Sequence, residues 1–480
     1  TAKRYEKAVP YSSWTGVQDA TQFKDVCHQF GLIATLLPQT NAQSDDCLYL
    51  NVWVPAKKSE AKRPVMVFIH GGAFEGGSGV MEGKDLAAQG DVILVTMNYR
   101  LGPLGFMMGA DLQTNQGLHD QLLALKWVKQ NIHFFGGDAS QVTLFGESAG
   151  AMSVSAYIFS PLAEEGLFKR GILQSGSLAV ETLCNSKERS LEKTAILGAK
   201  VNCTEKDVRK LVECIKKVDV EQLKAASADD FVTNAFFVPV WGDELLPLQP
   251  QKALESGHFK KNLDLIYGTN RDEGGIFALF IIPEIMGDNN LDKSSIKKYT
   301  EKVFKKFNIG HSQEIIDYYS GKVTANTTQD DFKALISGAF GDYALVCPTI
   351  LFGEMLAQKS SPNSRFYSYR LMEYKPAMGP SWMGVAHSSD LQYLFKVEET
   401  KKDADLYQLS KDVIHAWTQF AKTGVPGKMG NVEWAEAVGG NKAVKDYRTR
   451  YMSLETKHFK MVDRFFEATC NGFWKPKLFS

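Results

Sequence analysis

The chain has 480 residues, 44% of them apolar and 23% charged, an ordinary globular balance that can bury a large core. Its 55 basic residues are matched by 55 acidic ones. A net charge of zero without a basic block excludes nucleic acid or an anionic membrane as a partner held by bulk charge.

The first elements are short, apolar and β-branched. Val65-Met-Val-Phe-Ile69, Val92-Ile-Leu-Val-Thr96 and Val142-Thr-Leu-Phe145 are each bounded by turn signals, as buried strands are. Between the last two, Leu118, Leu122, Leu125, Val128 and Ile132 recur at helical spacing. Asn115 is the candidate cap of that helix, and Gly136-Gly137 ends it. Further strands are expected at Gly171–Gln174, Leu263–Tyr267 and Phe366–Tyr369. Charge-rich helical stretches separate them, at Lys187–Lys224 and Ser294–Phe307. The longest apolar stretch, Ile276–Met286, contains Pro283 and is too short to span a bilayer; it reads as a buried or cleft-lining segment. A late amphipathic helix is expected over Leu409–Lys422, stopped by Gly424 and Pro426.

Alternating strands and helices predict an α/β fold: a mostly parallel, twisted sheet with helices on both faces. One domain over residues 1–480 is the expectation, since no repeat or long linker interrupts it. The helical insertion at Lys187–Val240 is expected to cover the carboxyl edge of the sheet, where such folds bind ligands.

None of the seven cysteines (27, 47, 184, 203, 214, 347 and 470) forms a C-x-x-C pair, which argues against a zinc ribbon. An odd count suits three bridges and one free thiol. Sequons stand at Asn202 and Asn326. Together these point to a secreted or secretory-lumen, oxidising setting. The sequence starts at Thr1 without an apolar leader, which fits either a removed signal peptide or a shortened chain.

The chemistry concentrates at Gly146-Glu147-Ser148-Ala149-Gly150, between a predicted strand and a small-residue helix, Ala151–Phe159. A G-x-S-x-G in that context is a nucleophile elbow, whose tight turn exposes the serine Oγ. His70-Gly71-Gly72-Ala73-Phe74 follows another strand. Its glycines permit backbone N–H groups to converge on a developing oxyanion, so Gly72, Ala73 and Ala149 are the expected donors. A serine needs a base, and in this fold the order is Ser, acid, His. Asp272 and Glu273, after the strand ending at Tyr267, are both candidates for the acid. Of the histidines beyond them, His311 and His458 have charged surroundings and His415 sits within a helix. His387 lies in a loop-like stretch, where catalytic histidines are placed.

At these residues the sequence resembles the type-B carboxylesterase and cholinesterase family, of α/β-hydrolase fold. The matching stretches are Asp45–Val52, His70–Phe74, Asn98–Phe106, Phe135–Asp138, Gly146–Gly150 and Gly268–Gly274. The resemblance puts the acid on Glu273 and the base on His387. It gives Glu147 a place lining the site and Asp390 a part in orienting the histidine, and it pairs Arg100 with Asp120. It implies the bridges Cys27–Cys47, Cys203–Cys214 and Cys347–Cys470, with Cys184 free. The family has strands before the Arg4–Pro10 segment that are absent here, and it usually has glycine after the histidine, where this chain has Ser388.

The first bridged loop holds no tryptophan, whereas cholinesterases place there an indole for choline. With Phe74, Thr233 and Ala235 taken as pocket residues, small side chains at the last two predict a roomy acyl side. The expected activity is therefore a broad serine carboxylesterase acting on small-molecule esters, with no metal and no organic cofactor. A cholinesterase, or a non-catalytic adhesion protein of the same fold, are the alternatives. Neither a transmembrane segment nor a nucleic-acid partner is expected, and the sequence does not specify an oligomeric state.

Overall fold

The computed structural model describes residues 2–108, 113–163, 166–374, 380–439 and 448–479. The strands are β1 (Leu50–Trp53), β2 (Arg63–Ile69), β3 (Ile93–Met97), β4 (Gly137–Glu147), β5 (Arg170–Gln174), β6 (Asp264–Asn270) and β7 (Phe366–Leu371). After them come β8 (Lys428–Met429), β9 (Val432–Glu433), β10 (Val438–Gly439), β11 (Arg448–Leu454) and β12 (Lys460–Asp463). One sheet runs in the order β1-β3-β2-β4-β5-β6-β7-β11-β10, with β12 on β11; β8 and β9 form a separate hairpin. From β3 to β11 neighbouring strands are parallel; β1, β10 and β12 pair antiparallel.

Side-chain alternation divides the core into two layers. Val65, Val67 and Ile69 of β2 point into one, and Met66 and Phe68 into the other. In β6, Leu265 and Tyr267 join the first and Ile266 the second. The helix Ala149–Phe159 covers the first face and the helix Ala404–Thr423 the second. Each large apolar side chain enclosed this way contributes about 1.5–3 kcal/mol relative to exposure. This is why the central strands read as continuous apolar runs rather than alternating ones.

The predicted helix after β3 spans Gln116–Asn131 and buries Leu118, Leu122, Leu125 and Val128. Asn115 does not cap it through its side chain. The Asn115 amide donates instead to Val240 O (2.7 Å) and Asp243 Oδ2 (2.8 Å), and accepts from Val240 N–H (2.8 Å). It thus ties the helix start to the segment that closes the insertion. That insertion holds four helices, Lys187–Lys200, Val208–Ile215, Val220–Ala226 and the short Asp230–Thr233; the first three are started by the capping side chains of Ser186, Asp207 and Asp219. The late helix ends at Gly424, which adopts φ 76° as a left-handed C-cap.

The expected apolar segment is a helix, Gly275–Ile281, followed by the turn Pro283–Met286. A different run, Gln329–Lys359, is the one described helical stretch with the length and apolar composition to cross a membrane, and most of it is packed inside the molecule. The sequence reading overlooked it because Asp330, Asp331 and Lys333 interrupt its start. Disulfides join Cys27–Cys47, Cys203–Cys214 and Cys347–Cys470, and Cys184 is free and buried. Arg100 and Asp120 form a buried two-pronged pair at 2.7 and 2.6 Å, and Arg100 also donates to the carbonyls of Lys3 and Glu6.

Candidate active site

β4 ends at Glu147 and the next helix begins at Ala149, so Ser148 makes the whole turn alone. Its backbone sits at φ 56°, ψ −124°, a sparsely populated region that costs a non-glycine residue about 1–3 kcal/mol. Close packing enforces the turn. A Cβ on Gly146 would lie 2.5 Å from Gly150 C, and one on Gly150 only 2.0 Å from Ile69 O. The two glycines of the motif are therefore steric requirements.

The loop after β2 folds over this turn. A Cβ on Gly71 would meet Glu147 Oε2 at 2.6 Å and Ser148 Cβ at 3.0 Å. Gly72, Ala73 and Phe74 all have positive φ, at 109°, 55° and 62°. Gly72 O accepts from the N–H groups of Glu75 and Gly76, both at 2.9 Å. Among the described loop hydrogen bonds, none uses the N–H of Gly72, Ala73 or Ala149. Ala73, Phe74, Ser148 and Ala149 line one cavity of about 40 Å³.

The two candidate carboxylates point in different directions. Glu273 Oε2 lies 2.6 Å from His387 Nδ1. Its other oxygen accepts from Asn270 N–H (2.6 Å) and Ser175 Oγ–H (2.5 Å). Asp272 turns away, accepting from Arg271 Nε and from Val385 N–H, both at 2.7 Å. Ser175, at φ 57° just after β5, was missed by the sequence reading. Its place one residue beyond a central strand, in Gln174-Ser-Gly-Ser177, was the available signal.

His387 is buried, with Nδ1 on Glu273 and its ring 5.1 Å from that of Phe277. Among the described residues Nε2 has no hydrogen-bond partner, but it lies 3.1 Å from Glu147 Oε1. No hydrogen bond between Ser148 Oγ and His387 is formed among the described contacts; such bonds commonly tighten only with substrate in place. Burial alone would lower the imidazole pKa, but the charges of Glu147 and Glu273 outweigh it and push it up to about 9. Burial pushes the Glu147 carboxyl up to about 7, against the opposing pull of His387 and of the Ser388 hydrogen bond.

Asp390 does not touch His387 through a hydrogen bond. Its Oδ2 accepts from Gln174 Nε2 (2.8 Å) and Tyr369 OH (2.7 Å), so the contact runs to the sheet beneath. Its influence on the histidine is through charge. The other late histidines, His311, His415 and His458, are exposed on the surface.

Of the expected pocket residues, one lines the cavity beside Ser148. Phe74 lines the cavity. Thr233 is exposed, with its hydroxyl turned back to Asp229 O at 3.0 Å. Ala235 is buried but does not line the cavity, and its N–H is bonded to Asp230 O at 2.8 Å. The wall itself is Phe236, Phe277, Phe307 and Phe340, with Met152 and Leu345. Thr233 and Ala235, from which a roomy acyl side was expected, are not among the residues that line this largely aromatic cavity. A larger cavity of about 620 Å³, between Phe159 and Lys260, shares no residue with this site. Asn202 and Asn326 are both exposed.

Comparison with known proteins agrees with this architecture. The chain is 30% identical to a cholinesterase of Mus musculus, covering 98% of this chain and 80% of that protein. It is 32% identical to an acetylcholinesterase-1 of Trittame loki (88% and 79%) and 32% to an acetylcholinesterase of Danio rerio (88% and 74%). Residues 1–474 match the model of the carboxylesterase family. With a serine turn at the end of a parallel strand and a match along nearly its whole length, the chain belongs to the carboxylesterase family, of α/β-hydrolase fold.

Proposed function

We propose that the protein hydrolyses carboxylic esters through an acyl-enzyme on Ser148. The observation that carries this reading is the 2.6 Å contact of His387 Nδ1 with a buried Glu273, beside a serine held alone in a strand-to-helix turn. His387 takes the Ser148 proton as Oγ attacks the carbonyl carbon. Glu273 holds the imidazole tautomer and stabilises the cation that forms. The N–H groups of Gly72, Ala73 and Ala149 receive the oxyanion. His387 returns the proton to the leaving alcohol, and water releases the acid by the reverse steps.

The substrates are uncharged esters with small acyl groups rather than choline esters. The aromatic wall around a 40 Å³ cavity supports the small acyl group. The absence of tryptophan between Cys27 and Cys47 supports an uncharged alcohol. The three disulfides fit an oxidising compartment, and we place the protein in the secretory lumen or outside the cell, with glycans on the exposed Asn202 and Asn326.

Wild-type protein is expected to be labelled by a fluorophosphonate and to turn over p-nitrophenyl acetate. It should cleave acetate faster than long-chain esters and faster than butyrylthiocholine. Ser148→Ala should lose labelling and at least about 10³-fold in kcat. Retained turnover in that variant would remove the nucleophile assignment, and a preference for the thiocholine ester would favour a cholinesterase.

A further inference from the structure

Ser388 follows the candidate base in the chain. Its φ of 68° lies in the left-handed region, where a side chain is disfavoured and glycine is the ordinary occupant. The serine hydroxyl is used there: Oγ–H donates to Glu147 Oε1 at 2.7 Å. That same oxygen is the one 3.1 Å from His387 Nε2. One carboxylate oxygen therefore stands between the hydroxyl of residue 388 and the nitrogen that has to receive the Ser148 proton. Glu147 and His387 are both buried, so neither contact is diluted by bulk water.

We propose that Ser388 is a positioning residue: its hydroxyl anchors Glu147 against His387, so that the resting imidazole is held by Glu147 and the anchor sets how readily Nε2 is freed for Ser148. The proposal rests on the hydrolase reading above and adds to it a residue that acts through Glu147. Among the described residues, three carboxylates bear on the imidazole charge. Glu273 approaches from the segment after β6, Glu147 from the end of β4, and Asp390 from the turn after residue 388. The helix Gly275–Ile281 brings the Phe277 ring to 5.1 Å from the imidazole. Arg271 and Asp272 pair with each other behind the loop at 2.7 Å.

The direction of the effect follows. Loss of the hydroxyl removes a donor that favours ionised Glu147 and lets the carboxylate swing. Its hold on the imidazolium weakens, and the base becomes neutral at lower pH. A hydrogen bond of this kind moves a titration by up to about one unit.

The test is the pH profile of kcat/KM on p-nitrophenyl acetate. Ser388→Gly, which also relieves the left-handed backbone, and Ser388→Ala, which keeps the Cβ, are compared with wild type. In both variants the acidic limb should move to lower pH. Glu147→Gln should move it further, and Ser388→Gly added to Glu147→Gln should move it no more. Fluorophosphonate labelling of the wild-type protein separates the two levels: its absence rejects the hydrolase reading itself. With labelling intact, an acidic limb that stays put, moves upward, or moves equally on the Glu147→Gln background overturns the role of Ser388.

Discussion

Two neighbouring carboxylates, Asp272 and Glu273, differ by one residue in sequence and by their whole environment in space. Glu273 is enclosed and committed to His387, Asn270 and Ser175. Asp272 is partly exposed and committed to Arg271 and Val385. Glu273→Gln should therefore lower kcat by about 10²–10⁴, because the wrong tautomer is then favoured at Nδ1. Asp272→Asn should cost far less, and both are read from kcat on the same ester. The pH dependence has a definite sign. Protonated His387 cannot accept the Ser148 proton, so kcat/KM rises as pH rises through the imidazole titration. Burial lowers that titration, but Glu147 and Glu273 raise it more, to about 9, so the midpoint of the rise should lie above the ordinary 6.5. A profile flat from pH 6 upward would contradict this.

Among the elements, the strand–turn–helix from β4 through Phe159 is the one whose geometry the site depends on. It is built by contact rather than by hydrogen bonding alone. A methyl group at Gly150 would overlap the Ile69 carbonyl at 2.0 Å, which means β2 and the helix would have to part. Gly150→Ala should destabilise the protein by about 1–3 kcal/mol and lower activity as well, because Ala149 N–H and the His70–Phe74 loop would separate. Urea unfolding measures the first and the ester assay the second. The insertion acts at this scale too. Its helices were expected to cover the carboxyl edge of the sheet, and Phe236, from the segment after them, stands in the cavity wall above Ser148. The expected pocket positions, Thr233 and Ala235, lie three residues and one residue before it and do not line that cavity. Sequence position alone cannot say which side chain of such a turn faces inward.

Across the molecule, the three disulfides close loops of 20, 11 and 123 residues. In the chain-entropy picture the longest removes the most freedom from the unfolded chain, about 5 kcal/mol against about 3 for the shortest. Replacing Cys347 and Cys470 by serine should accordingly lower the denaturation midpoint more than replacing Cys203 and Cys214. Equal losses would place the effect in native packing around Cys470 instead. The sequence by itself determined the parallel strands, the helix after β3 and the serine turn. These are local matters: apolar runs, helical spacing and glycines flanking a tight bend are written in consecutive residues. It also narrowed the acid to two neighbours and the base to a loop histidine. The family resemblance favoured Glu273; only the tertiary structure gave Asp272 and Glu273 their different partners, built the cavity wall from Phe236, Phe277, Phe307 and Phe340, and set Ser388 against Glu147. Those facts join residues up to 241 positions apart, and such contacts are fixed by the packing of the whole sheet and its helices rather than by any stretch of chain.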